Sequence, residues 1–224
     1  MDKNSVKKNN SVIILHGAGR LSQIVFNMVE SKYDQVFSYV DSGYLNIFET
    51  KNSFPVISSL ETDLIGTNVD YISTIGYKNM EQRKSAYLDM CESLSTCLTP
   101  INIVHPTAYI STRAHIGVGN IFFPGVVIED GVSIGDNNIF WSNACICHDA
   151  VIDSHSFFAA SVTIGGHCHV GESCFLGFGS IVNETLNLAA STFLASGTVL
   201  IRDQPIVGAR LCGVPAKQMK GLSS

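Results

Sequence analysis

The sequence predicts a small α/β domain over residues 1–100 followed by a parallel β-helix over residues 101–224. Three observations carry this expectation. The second half has a six-residue apolar period, the first half has a strand–glycine–helix–strand order, and charged side chains are scarce. The charged fraction is 15% and the apolar fraction 46%, against roughly 25% charged in an average domain. A chain so poor in charge buries much of its surface in partners or uses an architecture with few surface loops.

The period is read by counting in sixes from Val104. The count reaches Ile110, Ile116 and Phe122 and continues without exception to Ile206, eighteen large apolar residues in succession. At this composition chance gives such a run about once in a million trials. The position four further on is usually small or β-branched, as at Ala108, Ala114, Val126, Cys168 and Thr198, and glycine often follows the large residue, as at Gly117, Gly135 and Gly165. A hexapeptide repeat of this kind reads as a parallel β-helix. One unit makes a short strand and a corner, three make a triangular coil, and eighteen make six coils. The large residue is expected to point inward, the small one to let the chain turn, and the glycines to give the corners their backbone freedom. No insertion interrupts the pattern, so no long excursion loop is expected. The end coils need covering, by the N-terminal half on one flank and by residues 208–224 on the other.

The first half opens with the apolar run Ser11–Leu15, then Gly17-Ala18-Gly19, then a helical pattern through Ile24, Val25, Met28 and Val29. A second strand is expected at Phe37–Val40, ending in Asp41, and a third at Tyr71–Ile75, ending in Gly76, with a helix over residues 79–95. This order begins a parallel α/β unit.

Charge and cysteine content narrow the function classes. The net charge is -5 and the sequence pI about 5.7, which disfavours non-specific nucleic-acid binding because phosphate contacts need a basic footprint. The seven cysteines are odd in number and not paired as C-x2-C, so they read as reduced thiols of a cytoplasmic protein and not as a zinc site. Residues 1–10 are polar and basic, and the run Val12–Leu15 is too short for a signal peptide or a membrane span.

Two motifs carry candidate chemistry. Gly17-Ala18-Gly19-Arg20-Leu21-Ser22 follows a strand and opens a helix, where free amides can hold a phosphate. Ser22 stands where a dinucleotide fingerprint has its third glycine, and Asp41 lies where such folds contact a ribose or base. A structural tight turn is the alternative. His148-Asp149 lies inside the β-helix. A histidine works near neutral pH as a general base, and the neighbouring carboxylate can orient it. Residues 18 apart stack one strand spacing apart, so Gly166 is expected over His148, leaving room for a ligand, and His167 over Asp149. A surface corner histidine is the plain alternative. A three-histidine zinc site of the kind found in β-helix carbonic anhydrases fails on spacing, because Asp153 and Thr112 stand where two of the ligands would be. Gly213-Val214-Pro215-Ala216-Lys217 ends the repeat, and Lys217 offers a cation for an anionic ligand.

Taken together, the N-terminal α/β half, His105-Pro106, the hexapeptide repeat, His148-Asp149 and the Gly213–Lys217 motif resemble the PglD/NeuD-type sugar acetyltransferases over about residues 11–220. These are nucleotide-4-amino-sugar N-acetyltransferases and sialic acid O-acetyltransferases of bacterial glycan pathways. The resemblance implies a Rossmann-like N-terminal domain, a left-handed β-helix, and a homotrimer with active sites between neighbouring β-helices. It implies His148 as general base, Asp149 as the acid that raises its basicity, and acetyl-CoA as cosubstrate along Gly166, Phe178, Ser196 and Lys217. It implies a nucleotide-linked amino sugar held by Gly19, Arg20, Asp41, Ser42, Gly76 and Asn79. Charge, the short apolar run and the histidine and cysteine spacing point to no nucleic acid, membrane or metal as partner. Three positions depart from the family pattern. Arg20-Leu21 replaces Gly-His in the glycine loop, Phe157 replaces a histidine, and Trp141 replaces an asparagine seven residues before His148. Trp141 can stack on the substrate or pack at a subunit interface. The departures bear on which sugar is acetylated, at N or O. A non-catalytic sugar-nucleotide-binding trimer is the alternative from another class.

Overall fold

A computed structural model describes residues 11–41, 43, 54–58, 69–93 and 98–219. The described residues fall into two compact units, one of those up to residue 79 and within 85–103, the other of 80–84 and those from 104 to 219.

The first unit is a five-stranded sheet. Its strands are β1 (Val12–His16), β2 (Gln35–Tyr39), β3 (Val56–Ile57), β4 (Val69–Ser73) and β5 (Leu98–Pro100), with helix α1 (Arg20–Val29) after β1 and, after β4, helix α2 (Met80–Ser93), whose residues from Ser85 belong to this unit. All pairings are parallel, and the order is β3-β2-β1-β4-β5. The strand after α1 pairs on one side of β1 and β4 on the other, so the sheet order reverses at β1. The third strand begins two residues earlier than the sequence suggested. Strands β3 and β5 carry no sequence signature, because they are too short to show a period. Tyr71, Ile14, Val69 and Leu98 pack with Tyr87 and Met90 of α2 into an apolar core. α1 lays Val25 and Val29, both fully buried, against the sheet side of the unit.

The second unit is a parallel β-solenoid of the left-handed β-helix type. Its two-residue strands recur every six residues from Ile103–Val104 to Val199–Leu200 and stack in register at intervals of 18, as in Val127↔Cys145↔Thr163↔Ile181. The large residue of each strand points inward. Phe122, Phe140 and Phe158 stack as a column of rings 5.1 and 4.6 Å apart along the axis. Ile206, the eighteenth repeat position, is an exception. It lies outside any strand and is 63% exposed, because the chain has by then left the coil. The closing cover is the strand Arg210–Cys212 with Lys217–Gln218 antiparallel to it.

The corners follow the sequence expectation in part, since glycine makes some of them and other side chains the rest. The small residues do not make the turn. Val126, Ala144, Ala150, Val162 and Cys174 are buried beneath the corners. The turn is made by the residue before each small one, which takes a left-handed φ: glycine does so at Gly119, Gly125, Gly131, Gly179 and Gly197, and at other corners a side chain does, with Asn137, Asn143, Asp149, His155, Ser161 and His167 between 54° and 68°. Asn and Asp tolerate this region better than most side chains. Nor do Gly165, Gly171 and Gly177 serve as corner residues. A Cβ there would fall 2.5–2.6 Å from a backbone nitrogen of the next coil, so these glycines permit close coil-to-coil stacking.

Buried polar residues tie the coils together. Asn138 N–H donates to Asn120 Oδ1 and Ser156 N–H to Asn138 Oδ1, both at 2.8 Å. Arg83, fully buried and counted with this unit, donates to the carbonyls of His155 at 3.0 Å and Asn137 at 2.5 Å. Among the described residues, no helix is long and apolar enough to cross a membrane.

Candidate active site

His148 and Asp149 occupy one corner of the solenoid. Asp149 sits in the left-handed region at φ 58°, anchored by its N–H to the carbonyl of Asp130 at 3.0 Å. That conformation turns its carboxylate back toward the preceding residue, and Asp149 Oδ2 lies 2.9 Å from His148 Nδ1. A carboxylate can only accept, so Nδ1 carries the proton of this bond and Nε2 is left free to act as a base. The backbone N–H of His148 donates to Glu129 Oε2 at 2.8 Å. The side chains of His148 and Asp149 are each about half exposed, at 54% and 53%.

The next coil completes the corner. His167 N–H donates to the carbonyl of His148 at 3.0 Å, and its ring stands edge-on to that of His148 with centroids 5.1 Å apart. His167 Nε2 is 3.9 Å from Asp149 Oδ2. Gly166 stacks over His148 as the register required, but the space above it is filled by the imidazole itself. A Cβ on Gly166 would lie 2.7 Å from His148 Cε1 and 2.8 Å from Nε2. The absent side chain therefore makes room for the histidine, not for a ligand.

The remaining β-helix candidates lie elsewhere on the prism. Trp141, Phe178 and Ser196 share a different edge. Ser142, Ala160, Phe178 and Ser196 are successive 18-residue positions on it, and Gly197 N–H donates to the carbonyl of Phe178 at 2.8 Å. Phe178 is 57% exposed. Trp141 is half-buried beside Phe123, with centroids 4.2 Å apart, and Phe157, at 6.0 Å. Lys217 is exposed on the antiparallel cover and lines a shallow groove with Arg202, Asp203 and Pro215.

In the first unit the candidates gather at the carboxyl ends of the strands. Gly19 caps α1 after β1, Asp41 follows β2, and Gly76 and Asn79 follow β4. A side chain on Gly19 or Gly76 would meet nothing within 4 Å, so the backbone there is open to approach. Arg20 is exposed and donates to Gln23 Oε1 at 3.0 Å. Ser42 lies outside the described residues. Ser22, in place of a third glycine, is fully buried with its hydroxyl 2.7 Å from Thr74 Oγ1, so helix and strand still pack closely.

Sequence reasoning missed several residues of these sites. His16, at the end of β1, has Nδ1 3.0 Å from the Tyr71 hydroxyl. Burial pushes its pKa down to about 4, against a smaller opposing effect of Asp41. Glu129 was not singled out, although it lies 18 residues before Cys147 and so stacks beside His148. The 18-residue register puts His167 over Asp149, but its edge-on contact with His148 has no linear signature.

No protein-family model matches the chain. Solved structures share its fold along nearly all of its length. The acetyltransferase domain of PglB from Neisseria gonorrhoeae FA1090 is 22% identical, with a TM-score of 0.79, over 94% of this chain and all of that one. PerB from Caulobacter crescentus, in complex with CoA and GDP-perosamine, is 23% identical, with a TM-score of 0.78, over 93% of this chain and 97% of that one. WeeI from Acinetobacter baumannii AYE is 20% identical, with a TM-score of 0.79, over 93% and 100%. At these identities the likeness is one of fold.

Proposed function

We propose that the chain transfers acetyl from acetyl-CoA to the 4-amino group of a nucleotide-linked amino-deoxy sugar, with His148 as general base. The observation that carries the reading is the His148–Asp149 pair, 2.9 Å apart on an exposed corner with Nε2 unencumbered by that bond. The fold shared with PerB, whose structure holds CoA and GDP-perosamine, supports the choice of cosubstrate and acceptor class.

The chemistry is direct. The acceptor amine attacks the thioester carbonyl, and its proton passes to His148 Nε2. A tetrahedral oxyanion forms, which a backbone N–H stabilises. The oxyanion collapses, the C–S bond breaks, and the proton leaves Nε2 for the CoA thiolate. Asp149 holds Nδ1–H and stabilises the imidazolium, as a buried carboxylate does in the catalytic triads. No covalent enzyme intermediate forms, so no cysteine is needed as a nucleophile.

The N-terminal sheet serves as a Rossmann-like nucleotide site. Gly19, Arg20, Asp41, Ser42, Gly76 and Asn79 hold the nucleotide, and the order reversal at β1 is where parallel α/β sheets bind ligands. Gly166 lies with His148 on one edge of the prism, whereas Trp141, Phe178 and Ser196 lie on another. A CoA that touches both sets therefore needs the edges of two copies, which fits a homotrimer with Lys217 near the anionic end of the cofactor. Such an enzyme works in the cytoplasm, where acetyl-CoA and nucleotide sugars are available.

The test is release of free CoA thiol from acetyl-CoA against GDP-, UDP- and dTDP-linked 4-amino-6-deoxy sugars and free sialic acid, starting with GDP-perosamine. Turnover with one amino sugar and appearance of its N-acetyl product is the expected result. Activity confined to sialic acid makes the chain an O-acetyltransferase. Binding of acetyl-CoA and sugar nucleotide without turnover makes it a binding protein.

A further inference from the structure

We propose that Glu129, Cys145 and Cys147 form a binding site for a borderline-soft divalent cation of the Zn2+ type. The linear spacing C-x-C gives no zinc motif, but the coils supply what the sequence hides. Ile146 points fully into the core, so its neighbours Cys145 and Cys147 project together from the outer face of the strand. The 18-residue register stacks Glu129 beside Cys147, with Glu129 N–H donating to the carbonyl of Ile146 at 3.0 Å. One carboxylate oxygen and the two sulfurs all lie within 4.8 Å of one another, and all three residues are half-buried.

This geometry is close to what the cation needs. Zn–S bonds of about 2.3 Å in a tetrahedron set the ligand atoms about 3.8 Å apart, which small rotations of these side chains achieve. Two thiolates and a carboxylate leave a fourth position for water. Sulfur selects zinc and cadmium over magnesium and calcium. The carboxylate is already oriented, because Glu129 Oε2 accepts the His148 N–H at 2.8 Å, the kind of outer support that holds metal ligands in place. On binding, each thiol gives its proton to solvent as its sulfur bonds the metal, and the two thiolates and the carboxylate carry three negative charges against the cation's two positive ones. The neighbouring group His148, Asp149 and His167 also clusters its ligand atoms, but it holds no sulfur, so the two can be told apart.

The reduced, metal-free chain is titrated with Cd2+ and then with Zn2+ as competitor. The expected result is a sulfur-to-cadmium charge-transfer absorption that saturates at one metal per chain and is displaced by Zn2+. Metal should also protect Cys145 and Cys147 from alkylation, as mapped by peptide mass spectrometry. Cys145→Ser, Cys147→Ser and Glu129→Gln should each weaken binding by more than about tenfold, with far-UV circular dichroism unchanged. No charge-transfer band, protection of other cysteines instead, or full affinity in the Cys145→Ser/Cys147→Ser double variant or in Glu129→Gln overturns the proposal. The protection map uses the unaltered chain, so it decides even if a variant fails to fold.

Discussion

Gly166→Ala separates the stability of the solenoid from the geometry of its site. Gly166 has no left-handed φ, so alanine fits its backbone and lowers the entropy of the unfolded chain, a gain of about 0.4–1 kcal/mol. The new Cβ would fall 2.7 Å from His148 Cε1, whereas carbon atoms in contact rest at about 3.5–4.0 Å. The imidazole must move by about 1 Å. It is half exposed and free to swing outward, at the cost of its bond to Asp149, about 1 kcal/mol for an exposed pair. Net stability therefore changes by less than about 1 kcal/mol, while kcat falls on the order of 10²-fold, the cost of misplacing a reacting group by that distance. Gly165→Ala is the contrast. Its Cβ meets the backbone nitrogen of Glu184 at 2.5 Å, which cannot swing away, so the loss is about 1–3 kcal/mol of stability. Calorimetric Tm and acetyl-CoA turnover of both variants are the assay. A Gly166→Ala enzyme with unaltered kcat, or one destabilised as much as Gly165→Ala, refutes the claim that Gly166 exists to seat His148.

Asp149→Asn keeps a side chain that tolerates the left-handed φ but donates to Nδ1, forcing the proton onto Nε2; kcat should fall about 10²–10⁴-fold with Tm nearly unchanged. Asn138→Ala leaves the buried Ser156 N–H without its acceptor, and chemical denaturation should show a loss of about 1–3 kcal/mol. Burial, with a lesser effect from Arg83, lowers His155 to about 4 from 6.5, and burial lowers His16 to about 4. Both histidines are neutral in the folded chain above about pH 4. The unfolded chain takes up their protons first, so stability is full above pH 6.5 and falls as pH drops from 6.5 toward 4. Urea unfolding across that range measures it, and His155→Gln should flatten part of the slope.

The solenoid was legible because its period is strict. One apolar residue every six positions fixes strand, coil and the 18-residue stacking, and so places Gly166 over His148 without coordinates. The corner chemistry was legible only in part, because among the described residues nine other than glycine also take the left-handed turn, among them Asp149 and His167, and nothing in their side chains marks them as a class. The glycines that did stand out serve coil contact instead. In the first unit the glycine loop was readable, but Ser22 reads as a lost glycine until its hydroxyl is seen against Thr74. Sites assembled across coils, such as Glu129 with Cys145 and Cys147, escape any motif written along one segment.

Removal of the acceptor's proton by the His148 imidazole is measured by the kcat of His148→Ala with the acceptor that the wild-type chain acetylates, alongside calorimetric binding of CoA and of the sugar nucleotide. The expected result is a fall of about 10²–10⁴-fold in kcat with both ligands still bound. Turnover within a few-fold of wild type would contradict it and remove the base from His148.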